Sequence, residues 1–151
     1  MQDYSDSFAV KGDVIIIKID EAGTTEKTEI KNLVVATGKS FITSRMSANT
    51  ANIMSHMSVG TGSTAAASGD TALGSELARV ALSVTGGTPS SNTITYTATF
   101  PSGTGTGALT EAGIFNSDNT LTATMLCRTV FPVINKQAGD SIAVTWNISI
   151  T

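Results

Sequence analysis

The strongest constraint on the fold is an alternation of apolar and hydroxyl-bearing side chains with a period of two residues. It is cleanest between Thr93 and Phe100, where isoleucine, tyrosine, alanine and phenylalanine alternate with four threonines. Residues 141–150 repeat the pattern and place Trp146 among the apolar positions. Successive side chains of a β-strand point to opposite faces, so each segment predicts a strand with one buried and one threonine- or serine-rich face.

Shorter apolar runs near the N-terminus predict two more strands. One covers residues 14–19, and a second ends at residues 33–35, with a turn at residues 20–23 between them. Residues 14–17 are apolar at every position, which is typical of a strand buried on both faces.

Further strand pairs are predicted in the second half of the chain. Residues 109–115 and 121–131 form one pair, joined by a turn at residues 116–119. Apolar positions at 80–84 predict a strand that continues into the 93–100 strand as a hairpin with a long loop at residues 86–91.

Helical signals are scarce. Residues 40–46 predict one or two turns, and Asp70 is predicted to cap a short turn that carries Leu73 and Leu77. Many short strands separated by turn residues predict an all-β fold, a single-domain antiparallel β-sandwich (jelly-roll-like) with one or two short helical turns over residues 10–151.

The first nine residues are predicted to form an N-terminal arm. Residues 1–9 are polar, precede the first buried strand, and lack the apolar side chains needed to order themselves. Asp3 and Asp6 stand where a secretory signal would carry basic residues, so we expect no such signal. No apolar run approaches the roughly 20 residues of a membrane-spanning helix.

The chain is poor in charge. Charged residues make up 14% of it, against about 25% in ordinary soluble domains, and the formal net charge is −3. Lysine and arginine are scattered singly, so the basic patch of a nucleic-acid-binding protein is not expected. A low content of charged residues is consistent with a subunit that packs against other proteins in an assembly. It also fits a simpler cause, the preference for threonine on exposed strand faces.

The glycine-rich and acidic segments do not match known ligand motifs. Residues 60–62 and 103–107 lack the Lys-Ser/Thr ending of a phosphate-binding loop, and the loops at 60–69 and 101–107 are predicted to be linkers or to lie on a neighbour. The acidic pairs Asp20/Glu21 and Glu26/Glu29 sit at or beside a predicted hairpin tip, where charges are normally solvated.

Single candidate residues also favour structural roles. His56 alone cannot supply a multi-histidine metal site, and no local motif provides it with a nucleophile and an acidic residue. Cys127 lies in an apolar alternation that predicts burial, and a catalytic thiol would need a base. Trp146 is predicted to be a core anchor. We therefore expect no catalytic, cofactor-binding or metal-binding residues and no enzymatic activity.

Several stretches resemble small virion structural proteins of tailed bacteriophages. The most extensive are residues 109–116, LTEAGIFN, and residues 125–131, MLCRTVF. The likeness runs from about Asn32 to the C-terminus, and no catalytic motif belongs to it. Shorter matching stretches lie at residues 32–35, 38–39, 57–62, 71–74, 135–136 and 145–146.

The resemblance implies a role in the virion after synthesis in the host cytoplasm. We expect a capsid decoration (cement) protein on the outside of the major capsid shell. Its partners would be itself, as a homo-oligomer, and the major capsid protein or another virion structural protein, with no nucleic acid or membrane. A trimer is preferred because icosahedral shells offer threefold positions. A neck, collar, tail-fibre or baseplate component is the alternative in this class, and a carbohydrate-binding adhesin module is the alternative outside it.

Overall fold

The computed structural model describes residues 7–47 and 51–151 and confirms the predicted all-β sandwich. Two antiparallel five-stranded sheets pack around one main apolar core. We call them the front sheet, in the order β2-β1-β10-β7-β6, and the back sheet, in the order β3-β9-β8-β4-β5. The elements are β1 (Val10–Ile19), β2 (Thr25–Lys31), β3 (Leu33–Val34), α1 (Ala36–Ser44), β4 (His56–Gly60), β5 (Glu76–Ala81), β6 (Thr88–Ser90), β7 (Thr93–Phe100), β8 (Gly107–Phe115), β9 (Met125–Lys136) and β10 (Ser141–Ile150).

The two alternating segments form the centre of the front sheet, as predicted. β10 pairs with β1 on one side and with β7 on the other, which places Trp146 between Val14 and Tyr96. Trp146 is fully buried, and its apolar neighbours on the same face of β7 and β10 are buried with it, apart from the half-buried Ile94 and Ile150. The alternate threonines, serines and Asn147 face outwards.

β8 and β9 also confirm a predicted pair, although β9 begins at Met125 and not at Leu121, which is 93% exposed. β1 differs from its prediction. Val14 and Ile16 are buried, but Ile15 and Ile17 lie on the outer face and are only half-buried. The prediction that residues 14–17 are buried on both faces is therefore wrong for a single chain.

The chain crosses between the sheets at two points that the sequence did not reveal. β2 ends at Lys31, and residues 33–34 pair with β9 in the back sheet. The predicted hairpin from residues 80–84 to β7 is also wrong. The amide of Leu82 donates to the carbonyl of Ser55, beside β4, and the next amide, of Ser83, donates to Thr97 in β7. β5 itself pairs with β4 in the back sheet, and β6 is the strand that pairs with β7.

The helix begins four residues earlier than predicted. Gly38 lies against the backbone of β9, where an added Cβ would meet the Leu126 carbonyl oxygen at 1.9 Å, so the absence of a side chain permits the contact. The short helical turn predicted after Asp70 is wrong. The Asp70 carboxylate instead accepts a hydrogen bond from Ala67, and Leu77 belongs to β5.

The described part of the predicted arm begins at Ser7. Residues 7–9 are exposed, and Ala9 exchanges two backbone hydrogen bonds with Thr151, which continue the ladder between β1 and β10. Residues 1–6 lie outside the described residues, so the arm stays a prediction there.

Candidate functional site

The outer faces of the two sheets are covered differently. On the back sheet, Leu73 from the segment 61–75 is buried in a second apolar cluster with Val35, Phe115 and Met125, apart from the main core. The segment has no strand or helix of its own and is held to β8 and β9 by side-chain hydrogen bonds. On the front sheet, by contrast, the outward side chains of β1, β7 and β10 are half-buried or exposed, and none of them is buried.

Glu111 of β8 fixes both ends of this segment. Its carboxylate is 0% exposed and accepts hydrogen bonds from the amides of Gly62 at 2.9 Å, Gly74 at 2.8 Å and Ser75 at 2.7 Å. Arg128 of β9 donates to the same carboxylate through Nε at 3.0 Å and Nη2 at 2.8 Å. A buried carboxylate is tolerated when it is paired and its lone pairs are satisfied, as here.

Arg128 also reaches the middle of the segment. Its Nη1 donates to the Asp70 carboxylate at 2.7 Å, and its Nη2 donates to the Thr64 carbonyl at 3.0 Å. The Asp70 carboxylate in turn accepts the Ala67 amide at 2.9 Å. Glu111, Arg128 and Asp70 together are called the loop clamp below, because they attach residues 61–75 to the back sheet at several points.

The electrostatics of the loop clamp keep all three groups ionised. Burial by itself raises the pKa of Glu111, but the hydrogen bonds that it accepts outweigh burial and lower this pKa overall. The hydrogen bond from the Ala67 amide has the largest effect on the pKa of Asp70 and lowers it; burial opposes this, Arg128 adds to it, and the pKa is lowered overall. Burial opposes ionisation of Arg128, but its two carboxylate partners raise its pKa overall.

The loop clamp was missed at the sequence level, although a signal was present. Glu111 is a single charge in the apolar run of β8, and Arg128 is a single charge in the apolar run of β9, its predicted partner strand. Opposite charges isolated in two paired buried strands indicate an ion pair. Both lie in the two stretches that carry most of the resemblance to virion proteins.

Other charges are also used inside the molecule. Lys136 is buried, and its Nζ donates to the carbonyls of Pro101 at 3.0 Å and Asp140 at 2.6 Å. Arg79 pairs with Glu76 at 2.8 Å and lies over the Phe115 ring, 3.9 Å from its centroid. The surface is therefore even poorer in charge than the composition indicates.

The part of the front sheet's outer face that β1, β10 and β7 form is broad and nearly uncharged. In β1, β10 and β7, all of which are described, its charged positions are Lys11 and Asp13 at one end. The hydroxyl of Thr93 lies 2.8 Å from that of Ser149, and the hydroxyl of Thr95 donates to Asn147 at 2.7 Å. We call this surface the front face. It consists of Ile15, Ile17, Ile19, Ser141, Ala143, Thr145, Asn147, Ser149, Thr93, Thr95, Thr97 and Thr99.

The single residues weighed as catalytic candidates occupy structural positions. Cys127 is fully buried in the main core, and burial raises the pKa of its thiol well above the usual value, which disfavours the reactive thiolate. His56 Nδ1 lies 2.8 Å from the hydroxyl of Ser55, its neighbour in sequence. In a serine hydrolase it is the other ring nitrogen that faces the serine, and Nδ1 faces an acidic group.

The acidic pairs and glycine-rich loops also take part in local structure. Asp20 accepts the amides of Ala22 and Thr24 and so closes the turn between β1 and β2. Glu26 pairs with Lys18 at 3.1 Å, and Glu29 pairs with Lys27. The amide of Gly62 donates to Glu111 of the loop clamp, and Lys136 donates to the Pro101 carbonyl in the loop 101–107, so both glycine-rich segments are ordered loops.

The described residues form several open surface depressions, and one of the most apolar lies beside α1. It has a volume of about 210 Å³, and Phe41, Ile42, Ile94, Tyr96 and Leu126 are among its lining residues. Sites for drug-sized ligands usually measure about 300–1,000 Å³. Burial raises the pKa of Tyr96 to about 12, so its hydroxyl stays neutral.

Over residues 7–47 and 51–151, no group of three or more histidine, cysteine, aspartate or glutamate side chains is arranged to hold a metal ion. The one helix in the same residues is too short to cross a membrane. The chain matches no protein-family model, no curated protein and no solved structure. The resemblance to virion proteins therefore stays a prediction that rests on the quoted residues.

Proposed function

We propose that the protein is a structural subunit of a tailed-phage virion, a capsid decoration protein that acts as a homo-oligomer. One observation carries the proposal: the front face is broad, uncharged and uncovered, whereas the back sheet is closed by a clamped loop. A free monomer normally protects such a face with charge. This chain places several of its few charges inside the molecule instead.

The front face suits contact with another protein surface. Ile15 and Ile17 are half-buried and lose their remaining hydration on contact. The hydroxyls of Thr93 and Thr95 already have partners on β10, so covering them leaves fewer groups without a hydrogen bond. From strand spacing and rise, the three central strands present on the order of 400 Å². A standard interface buries about 800 Å² per partner, so adjoining loops must contribute as well.

A neck, collar, tail-fibre or baseplate subunit is the alternative within the same class, since the same face would serve at any of these positions. An adhesin module has less support. Carbohydrate-binding sites often use exposed aromatic side chains, whereas Tyr96 and Trp146 are buried here. Selective binding of the isolated protein on a glycan array would favour the adhesin.

The test is incorporation into particles. Particles of the parent phage are grown with the chain replaced by Thr145→Arg, which puts a charge at the centre of the front face between Ile15 and Thr97. Thr120→Arg, in the exposed turn between β8 and β9, is the matched control. We expect the control to be found on the capsid by electron cryomicroscopy and the front-face variant to be lost although it folds. Normal incorporation of Thr145→Arg, or particles that lack the wild-type protein, would contradict the proposal.

A further inference from the structure

The strand β2 is an edge of the front sheet, and none of the described strands pairs with its outer side. On that side the carbonyl of Lys31 accepts a hydrogen bond from the Thr129 hydroxyl at 2.9 Å and keeps its second lone pair for another donor. Two hydrogen bonds beyond the ends of β2 fix the ladder with β1: the Asp20 amide donates to the Thr24 carbonyl at 3.0 Å, and the Asn32 amide donates to the Gly12 carbonyl at 3.1 Å. Hydrogen-bonded pairs alternate along an antiparallel ladder, so the even-numbered residues of β2 direct their backbone groups to β1. The odd-numbered residues direct theirs away from the sheet.

Those odd-numbered residues carry a particular charge pattern. They are Thr25, Lys27, Glu29 and Lys31, and their side chains are exposed on the same side of the sheet as the front face. Lys27 lies opposite Ile17 and Glu29 opposite Ile15, so neither depends on a charged partner in β1. Within β2 the two side chains form an ion pair with each other.

We propose that β2 pairs antiparallel with β2 of a second copy of this chain, about a twofold axis at Thr28. The front sheets of the two copies then form one continuous sheet. In this register Lys27 of each copy lies opposite Glu29 of the other, and Thr25 lies opposite Lys31. Because β2 is its own partner, the contact is isologous, and the opposite-charge pair of Lys27 with Glu29 occurs twice by symmetry.

The charge pattern selects this register over its neighbours. Backbone hydrogen bonding across the new edge requires odd-numbered residues to face odd-numbered residues. One β2 strand can therefore shift along the other only to registers that again pair odd-numbered residues. The shift in one direction places Lys27 opposite Lys27 of the second copy. The shift in the other direction places Glu29 opposite Glu29. Like charges directly opposite each other destabilise a strand pair, and opposite charges stabilise it.

The contact is separate from the function proposed above. An isologous contact forms pairs and not threefold rings, so it is an addition to a trimer and not an explanation of one. It leaves the front face free and extends it across two copies. A failure of this contact therefore leaves the virion role standing, and a failure of the virion role leaves this contact standing.

The first test reverses charge on the purified full chain. Sedimentation equilibrium should give the wild type as twice the chain mass or a higher even multiple. Lys27→Glu should weaken association by roughly tenfold or more, because it sets glutamate against glutamate twice. The swap Lys27→Glu/Glu29→Lys should restore association. Lys11→Glu, with the same change in net charge at an exposed position beyond β2, is the control and should associate as the wild type does.

A second test locates the axis. The two Thr28 residues would form a non-hydrogen-bonded pair, whose Cα atoms lie about 4.5 Å apart, within the usual range for a disulfide. Thr28→Cys should therefore form a crosslinked dimer on mild oxidation, whereas Thr120→Cys should not. Three results would overturn the proposal. They are a wild type that is monomeric or purely trimeric, a charge swap that fails to restore association, and equal crosslinking of the two cysteine variants.

Discussion

At the scale of single residues, the most unusual feature is the burial of an arginine and a glutamate, Arg128 and Glu111, in a small domain. Burial of an ion pair carries a large desolvation penalty, and an apolar replacement of both partners is often no less stable. Here Glu111 and Arg128 do more than attract each other. Each also bonds to the backbone of the segment 61–75, so the pair specifies where that segment lies.

Removing one partner of the pair should be strongly destabilising. Arg128→Met leaves the Glu111 carboxylate buried without its cation, and we expect unfolding to become about 3–5 kcal/mol easier. Urea denaturation followed by tryptophan fluorescence measures this. Asp118→Asn, which alters an exposed carboxylate in the turn after β8, should change stability by less than about 0.5 kcal/mol. Equal effects of the two variants would show that the loop clamp carries no special stability.

The loop clamp also predicts acid sensitivity. The pKa values of Glu111 and Asp70 are lowered in the folded protein, so the unfolded chain binds protons more readily. Their contribution is complete above the unfolded values of about 4–4.5 and is lost as pH falls through the folded values. The melting temperature should therefore decline below about pH 4.5, and the decline should be shallower in Glu111→Gln. A parallel decline in both proteins would contradict this.

Trp146 is the residue whose packing was predicted most directly. It is fully buried between Val14 and Tyr96, and Trp146→Ala should cost about 3–5 kcal/mol because a large cavity opens in the core. Thr145→Ala, one residue away on the outer face, is the control and should cost far less. Chemical denaturation measures both, and a small effect at Trp146 would contradict the packing.

At the scale of elements, the sequence predicts strands better than it predicts their partners. β7 and β10 were recognised because apolar and hydroxyl side chains alternate without interruption, a local property of the chain. The assignment of β5 to the back sheet was not predicted because it depends on the ladder between β5 and β4, which no local pattern of residues indicates. The short β6 carries no apolar alternation, so its residues predict only a loop.

The segment 61–75 illustrates the same limit. The small residues at 60–69 predicted a loop, which the structure confirms for residues 61–69, whereas the helical turn predicted after Asp70 does not form. The position of the segment over the back sheet depends on Glu111, Arg128 and Asp70, which lie up to 58 residues apart in sequence. A single sequence does not show that these three residues are in contact. The isolated charges in β8 and β9 indicate only that each needs a partner.

Weakening the loop clamp should release this segment before the sandwich unfolds. Asp70→Ala removes the bonds to Ala67 and to Arg128 but leaves Glu111 in place. We expect proteolysis by a nonspecific protease to cut faster within residues 61–75, while the fragments stay associated. Mass spectrometry of the digest identifies the cut. Asp118→Ala, in the exposed turn after β8, is the control. Faster cleavage elsewhere in the chain, or none, would contradict the assigned role.

At the scale of the whole molecule, the sequence indicated a low-charge surface but not where it lies. Both sheets have outer faces, and which one stays open depends on the position of the segment 61–75. Once the back sheet is covered, the front face is the broad open surface among the described residues, and its edge at β2 holds most of the charge nearby. An uncharged face and a charged edge imply contacts with different salt dependence.

The last prediction separates those two contacts by ionic strength. Attachment through the front face should survive an increase in salt, because apolar and hydroxyl groups dominate it and surface ion pairs contribute only about 0–1 kcal/mol each. Pairing through β2 should weaken, because at about 1 M salt the screening length falls to about 3 Å and exposed charges are screened. Particles washed in rising sodium chloride should therefore retain the protein, while the free protein shifts towards lower mass in sedimentation. Release from particles by moderate salt would show instead that charge drives the attachment.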